Sequence, residues 1–242
     1  MKQVKFLATM MIATATLFLG SCNSEADKKS ETPVDTPAAK METPPPATTS
    51  GPSSVMIVKH KVADYDKWKI SYESHDSIRL AYGLHNYVIA RGTEDPGMVM
   101  VVVKMDDVNK AKTFAAMPEL KERMKKGGVV GAPSIDYLET VMNDTTAISQ
   151  SVRLMVNHKV RDWDTWKKAY DSHKQARMDA GLTDRALGHT VGDNHSVTIV
   201  FAVSDVAKAK AFISSNDLKE KMAQAGVEGP PSFFFYKIAA KY

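Results

Sequence analysis

Two sets of side chains able to move protons or fix an oxygenated group stand in this chain: His60, Tyr72, His75 and Arg79, then His158, Tyr170, His173 and Arg177. Histidine changes charge near neutral pH, tyrosine supplies a hydroxyl, and arginine offers a fork of donors. Trp68 and Trp166 accompany them as pocket or core aromatics. Trp68, Tyr72, His75 and Arg79 fall at i, i+4, i+7 and i+11, one face of a helix, with Ile78 beside them. His60 precedes them on an alternating face with Val58 and Val62. Such a face can line a pocket under the helix that holds a small aromatic or apolar molecule. A structural reading stands beside it. Trp68 and Tyr72 are then core aromatics, His60 and His75 hydrogen-bonded pins between helix and strand, and Arg79 snorkels outward.

Other polar groups point to plainer roles. Asp64 and Asp66 read as a helix cap and first-turn charge. Gly127, Gly128 and Gly131, like Gly226 and Gly229, lack the Lys-Ser/Thr of a phosphate loop and read as turns. His85 faces Thr183 in the second set, and His189 and His195 occur only there, with no cysteine or carboxylate set to complete a metal site. No Ser-His-Asp triad, nucleotide fingerprint or EF-hand occurs, so neither metal nor cofactor is expected.

The sets recur because the chain does. Shifted by 98 residues it matches itself without a gap, 58–134 against 156–232; HKVADYDKWKISYESHDSIRLAYGL meets HKVRDWDTWKKAYDSHKQARMDAGL. A match at fixed offset marks duplicated units. The first unit predicts a strand over 55–62, a helix from Asp64 to near Gly83, strands over about 85–92 and 98–105, a helix over about 107–126 and a strand over about 134–141. The second repeats them at about 152–160, 163–181, 184–192, 196–203, 205–224 and 232–239, with a hairpin near Gly192-Asp193-Asn194. That order is the α+β, ferredoxin-like βαββαβ plan. Val99, Val101 and Val103 alternate with Met98, Met100 and Val102, so both sheet faces are apolar. The expectation is two repeats, 53–143 and 150–242, packed sheet to sheet as a monomer with internal pseudo-twofold symmetry.

On this element order, the His-Lys-Val strand end and the Trp-Lys…Tyr…Ser-His helix, both units resemble the dimeric α/β-barrel superfamily, specifically domains like those of antibiotic-biosynthesis monooxygenases. The resemblance implies an intramolecular barrel and a ligand between helices and sheet. It leaves three functions open: binding a small aromatic or apolar ligand, cofactor-independent oxygenation, and a non-catalytic interaction module. The Asn/Trp/His set of the haem-degrading branch is not matched, since Asn157 has Lys59 as its counterpart.

The chain starts with Lys2 and Lys5, an uncharged run over 6–20 and Leu19-Gly20-Ser21-Cys22. A positive start, a short apolar run and small residues form the pattern of an export signal, and the run is shorter than a membrane span. Cys22 is the only cysteine, so no internal disulfide forms. The four residues resemble the lipobox of bacterial lipoproteins. This implies removal of 1–21, acylation of Cys22, and a lipid bilayer of the cell envelope as partner. Residues 22–52, rich in Ser, Thr and Pro, read as a disordered tether. The formal charge of +4 drops by two when Lys2 and Lys5 leave, which argues against nucleic acid.

Overall fold

Where apolar residues alternate, the chain extends. A computed structural model describes residues 53–242; the signal, Cys22 and the tether lie outside the described residues. The strands are β1 (Ser53–Val62), β2 (Leu84–Gly92), β3 (Met98–Met105), β4 (Val129–Asn143), β5 (Val152–Val160), β6 (Leu182–Thr190), β7 (Asp193–Val203) and β8 (Val227–Lys241). The helices are α1 (Tyr65–Glu73), α2 (Asp76–Ala81), α3 (Val108–Ala115), α4 (Pro118–Lys126), α5 (Trp163–Ser172), α6 (Lys174–Asp179), α7 (Val206–Ser214) and α8 (Asn216–Gln224).

Each helix expected to run unbroken is in fact two. At the α1–α2 break the Ser74 hydroxyl and the His75 ring both bond the Ser71 carbonyl, and Ser172 bonds the Ala169 carbonyl near the matching break. Side chains that take a carbonyl in this way compete with the helical ladder. Pro118 restarts α4 at its first turn, and the Ser215 hydroxyl caps α8. The last strands also begin at Val129 and Val227 rather than near 134 and 232. Gly128 and Gly226 take positive φ of 87° and 82°, which turns the chain straight into the strand.

Within each repeat the order is β4-β1-β3-β2 and β8-β5-β7-β6. The two sheets face one another, and their edges also join. β2 pairs with β8 and β4 with β6, both antiparallel, closing one eight-stranded barrel. Closure removes every free sheet edge. The seams repeat the internal symmetry, for Val88 lies opposite Lys241 as Ala186 lies opposite Asn143. At Gly188 a β-carbon would stand 2.5 Å from the Glu139 carbonyl oxygen, so this seam accepts only glycine.

The barrel splits the apolar residues into three cores. Val62, Trp68, Leu84 and Val103 pack between the first repeat's helices and sheet, and Val160, Trp166, Leu182 and Phe201 do so in the second. Ile57, Met100, Leu138, Met155 and Tyr236 fill the interior. Each large side chain so buried contributes about 1.5–3 kcal/mol. Among the described residues no helix is long and apolar enough to cross a membrane.

Candidate functional site

Asp64 accepts from the Lys67 amide at 3.0 Å and fixes the start of α1, which drops Trp68 onto the sheet. His60 projects from β1 into the same space. Its ring centroid is 5.4 Å from that of Trp68, and Trp68 stacks on Tyr72 at 5.3 Å. These rings, with Val101, Val103, Ile135 and His75, line a mainly apolar cavity of about 170 Å³.

His60 is 4% exposed, and neither ring nitrogen has a hydrogen-bonding partner among the described residues. Burial lowers its pKa to about 4, so the ring is neutral at pH 7 and offers one donor and one acceptor. The expected hydrogen-bonded pin is therefore not made. Leaving such groups buried and unmatched costs about 1–3 kcal/mol each.

Arg79 does not snorkel; it is 5% exposed and lies over the Tyr72 ring at 3.8 Å. Its guanidinium donates to Asn86 Oδ1 at 3.1 Å, the Tyr72 carbonyl at 2.8 Å and Asp76 Oδ1 at 3.3 Å. The Tyr72 hydroxyl donates to Asn86 Oδ1 at 2.6 Å, and Asn86 donates to Asp76 at 2.7 Å. Burial pushes the Tyr72 phenol up to about 12, so it stays a donor. Tyr72 and Arg79 are thus committed to a network that pins α1 and α2 to β2. His75 sits in the α1–α2 turn, its Nδ1 2.6 Å from the Ser71 carbonyl, so it ties its own helix rather than helix to strand.

The second repeat places His158, Trp166, Tyr170, His173 and Arg177 around a matching cavity of only about 90 Å³. The stack is kept, with His158 5.3 Å from Trp166 and Trp166 5.1 Å from Tyr170. His158 likewise has unpartnered ring nitrogens and a pKa lowered to about 4 by burial. Arg177 donates to both oxygens of Asp184, at 3.0 and 2.9 Å, and the Tyr170 hydroxyl donates to the same carboxylate at 2.9 Å. Burial raises the Tyr170 pKa, and Asp184 raises it further. The cavity shrinks because Phe201, Ile213 and Phe233 stand where the first repeat has Val103, Ala115 and Ile135.

Sequence reasoning missed Asn86, Asp184 and Asp76, because it took its site from residues retained in both copies and weighed only histidines among those that differ. The signal lay in positions that change together. Asn86 goes with Asp76, Asp184 with Lys174, so one carboxylate always faces the retained arginine. His195 and His189 turn to the Val160 and Thr190 carbonyls. Among the described residues no three His, Cys, Asp or Glu side chains gather into a metal set.

No protein-family model matches the chain, and no curated protein matches it. Solved structures do. An anthrone oxidase-like protein aligns with TM-score 0.51 and 12% identity over 78% of this chain and 92% of its own. A provisionally designated monooxygenase from Fusobacterium nucleatum aligns with TM-score 0.50 and 9% identity over 79% and 94%. A provisionally designated chlorite dismutase aligns with TM-score 0.50 and 12% identity over 79% and 96%. At these identities the likeness shows the fold: a duplicated ferredoxin-like chain closed into one barrel, shared with monooxygenase-like proteins.

Proposed function

We propose that the first repeat binds a small aromatic molecule bearing one hydroxyl or carbonyl group, with the ring beside Trp68 and the oxygen at His60. An apolar protein cavity of about 150 Å³ accepts benzene, and this one is about 170 Å³. The observation that carries the reading is a neutral histidine in the cavity wall whose two nitrogens bond no other described residue. Calorimetry with p-cresol and toluene tests it. The reading expects p-cresol to bind at least tenfold tighter, and His60→Leu to erase the difference. Equal affinities, or none, would end it.

The fold shared with a provisionally designated monooxygenase and an anthrone oxidase-like protein favours a second reading, in which the bound arene is oxidised by O₂ without a cofactor. His60 is a poor base for this step. Taking a proton from a phenol of pKa about 10 onto a ring of pKa about 4 is uphill by roughly 8 kcal/mol. His75 is the remaining histidine in the first pocket. Methylhydroquinone would give the quinone as O₂ becomes hydrogen peroxide. O₂ uptake above the uncatalysed rate, lost in a folded His75→Ala protein, supports turnover; uptake at the uncatalysed rate removes it.

For location, the proposal is acylation of Cys22 and attachment to a bilayer of the cell envelope. It is supported by Leu19-Gly20-Ser21-Cys22 and the Pro/Ser/Thr-rich stretch that follows. Labelled palmitate should enter the full chain and be absent from Cys22→Ser; an unlabelled wild type refutes it.

A further inference from the structure

We propose that the barrel interior is a second binding site, taking a small carboxylate with an apolar body. A cavity of about 500 Å³ lies inside the barrel, toward the end where β1 and β5 begin and β4 and β8 finish. The connection between repeats runs along its rim. There Arg185 holds Asp144 at 2.9 Å and the Thr146 carbonyl at 2.6 Å.

The two repeats furnish unlike walls. Arg153 and Tyr236 are direct cross-strand partners on β5 and β8, and both line the cavity. The same places in the first repeat hold Val55 and Leu138, again direct partners on β1 and β4. Thr198, buried in the second wall, stands where the first has Met100. The fold therefore closes this position with apolar residues in one copy and has an arginine, a phenol and a hydroxyl in the other. A polar cluster set in a largely apolar lining suits an amphipathic molecule.

Charge sets the class. Burial lowers the Arg153 pKa, and the groups acting on its charge are Tyr236 and Arg185, neither an anion at neutral pH. Its Nη1 donates to the Gln150 and Val152 carbonyls. A carboxylate can take the Nε–Nη2 edge of the fork, and the Tyr236 hydroxyl can donate to it. The Tyr236 phenol is buried, which raises its pKa, while Arg153 acts in the opposite direction. The one acidic side chain lining the cavity, Asp144, is already paired with Arg185, and Lys104 and Lys241 add positive charge at the wall. An anion entering here meets attraction and no unpaired acidic side chain.

The probe is octanoate, with octanol as its uncharged equal in length, titrated into the full-length chain by calorimetry. Octanoate should bind once per chain. Arg153→Leu should weaken it at least tenfold and Arg153→Lys by less, while octanol should bind both variants alike. Val103→Phe, which fills the first helix–sheet pocket, should leave octanoate binding unchanged. Should Arg153→Leu fail to fold, Met100→Trp occupies the interior with Arg153 intact and should abolish binding. No octanoate binding, an affinity indifferent to Arg153→Leu or Met100→Trp, or loss on Val103→Phe alone would overturn the proposal. That last outcome would place the carboxylate in the first-repeat pocket and leave the p-cresol reading standing.

Discussion

The two helix–sheet pockets share a ring stack and differ in what stands behind it. His60, Trp68 and Tyr72 sit in front of Val103 and Ile135, whereas His158, Trp166 and Tyr170 sit in front of Phe201 and Phe233. The duplicated units share one frame, and bulkier side chains occupy much of the second pocket. The retained arginine was handled differently in each copy. The first repeat balances it with Asp76, which it meets at 3.3 Å and which Asn86 also bridges, the second with Asp184 at 2.9 Å. What both copies keep is therefore the frame. The volume that could admit a ligand is kept only in the first.

The buried histidines give the largest effect and test whether the frames are equal. His60 and His158 each have a folded pKa of about 4 against an ordinary value of 6.5. A lowered folded pKa means the unfolded chain binds more protons between those values. The stability from the neutral rings is thus complete above about pH 6.5 and falls as pH drops toward 4, by about 3 kcal/mol per histidine at pH 4. Urea midpoints measured from pH 7 to 4 should fall, and His60→Phe and His158→Phe should each flatten the slope by a similar amount. Flattening by one change and not the other would break the equivalence, and a steep slope that survives both would remove the histidines as its cause.

The arginine networks should separate the repeats. Asp184→Ala strips a buried guanidinium of its carboxylate and should cost about 3 kcal/mol. Asn86→Ala leaves Asp76 in place and should cost about 1 kcal/mol. Denaturant unfolding of the two variants checks the ordering. The double change Asn86→Asp with Asp76→Lys copies the second repeat's pattern and should stay within about 1 kcal/mol of wild type.

Swapping the back wall has a modest effect on stability and the sharpest one on binding. Val103→Phe should cut p-cresol affinity at least tenfold while costing about 1 kcal/mol. Phe201→Val should cost about 2 kcal/mol and open a second site, raising the stoichiometry measured by calorimetry from one toward two.

These differences mark where the sequence was legible. The fixed-offset match and the two apolar faces of Met98–Met105 lead directly to paired ferredoxin-like sheets, and Asp64 and Asp162 cap helices as their positions suggest. The breaks at His75, His173 and Ser215 are harder to read, because side-chain bonds to local carbonyls override a continuous helical pattern, while at Pro118 the proline restarts the helix. The seams depend on register between distant strands, which only Gly188 betrays, and only once Glu139 is known to face it. Arg79 looked free to snorkel because its partners, Asn86 on β2 and Asp76 at the start of its own helix, are not the same residues in both copies. Pocket size was hidden for a related reason. It is set by positions that differ between copies, such as Val103 and Phe201, while a search for retained residues passes over them.

The most direct test is a crystal structure of the protein with p-bromophenol, using the anomalous signal of bromine to find the ligand. The account expects one strong site, in the first repeat, with the ring against Trp68 and the phenol oxygen within hydrogen-bond distance of a His60 nitrogen. Bromine in the second repeat's pocket at equal strength, or none beside Trp68 at saturating ligand, would contradict it.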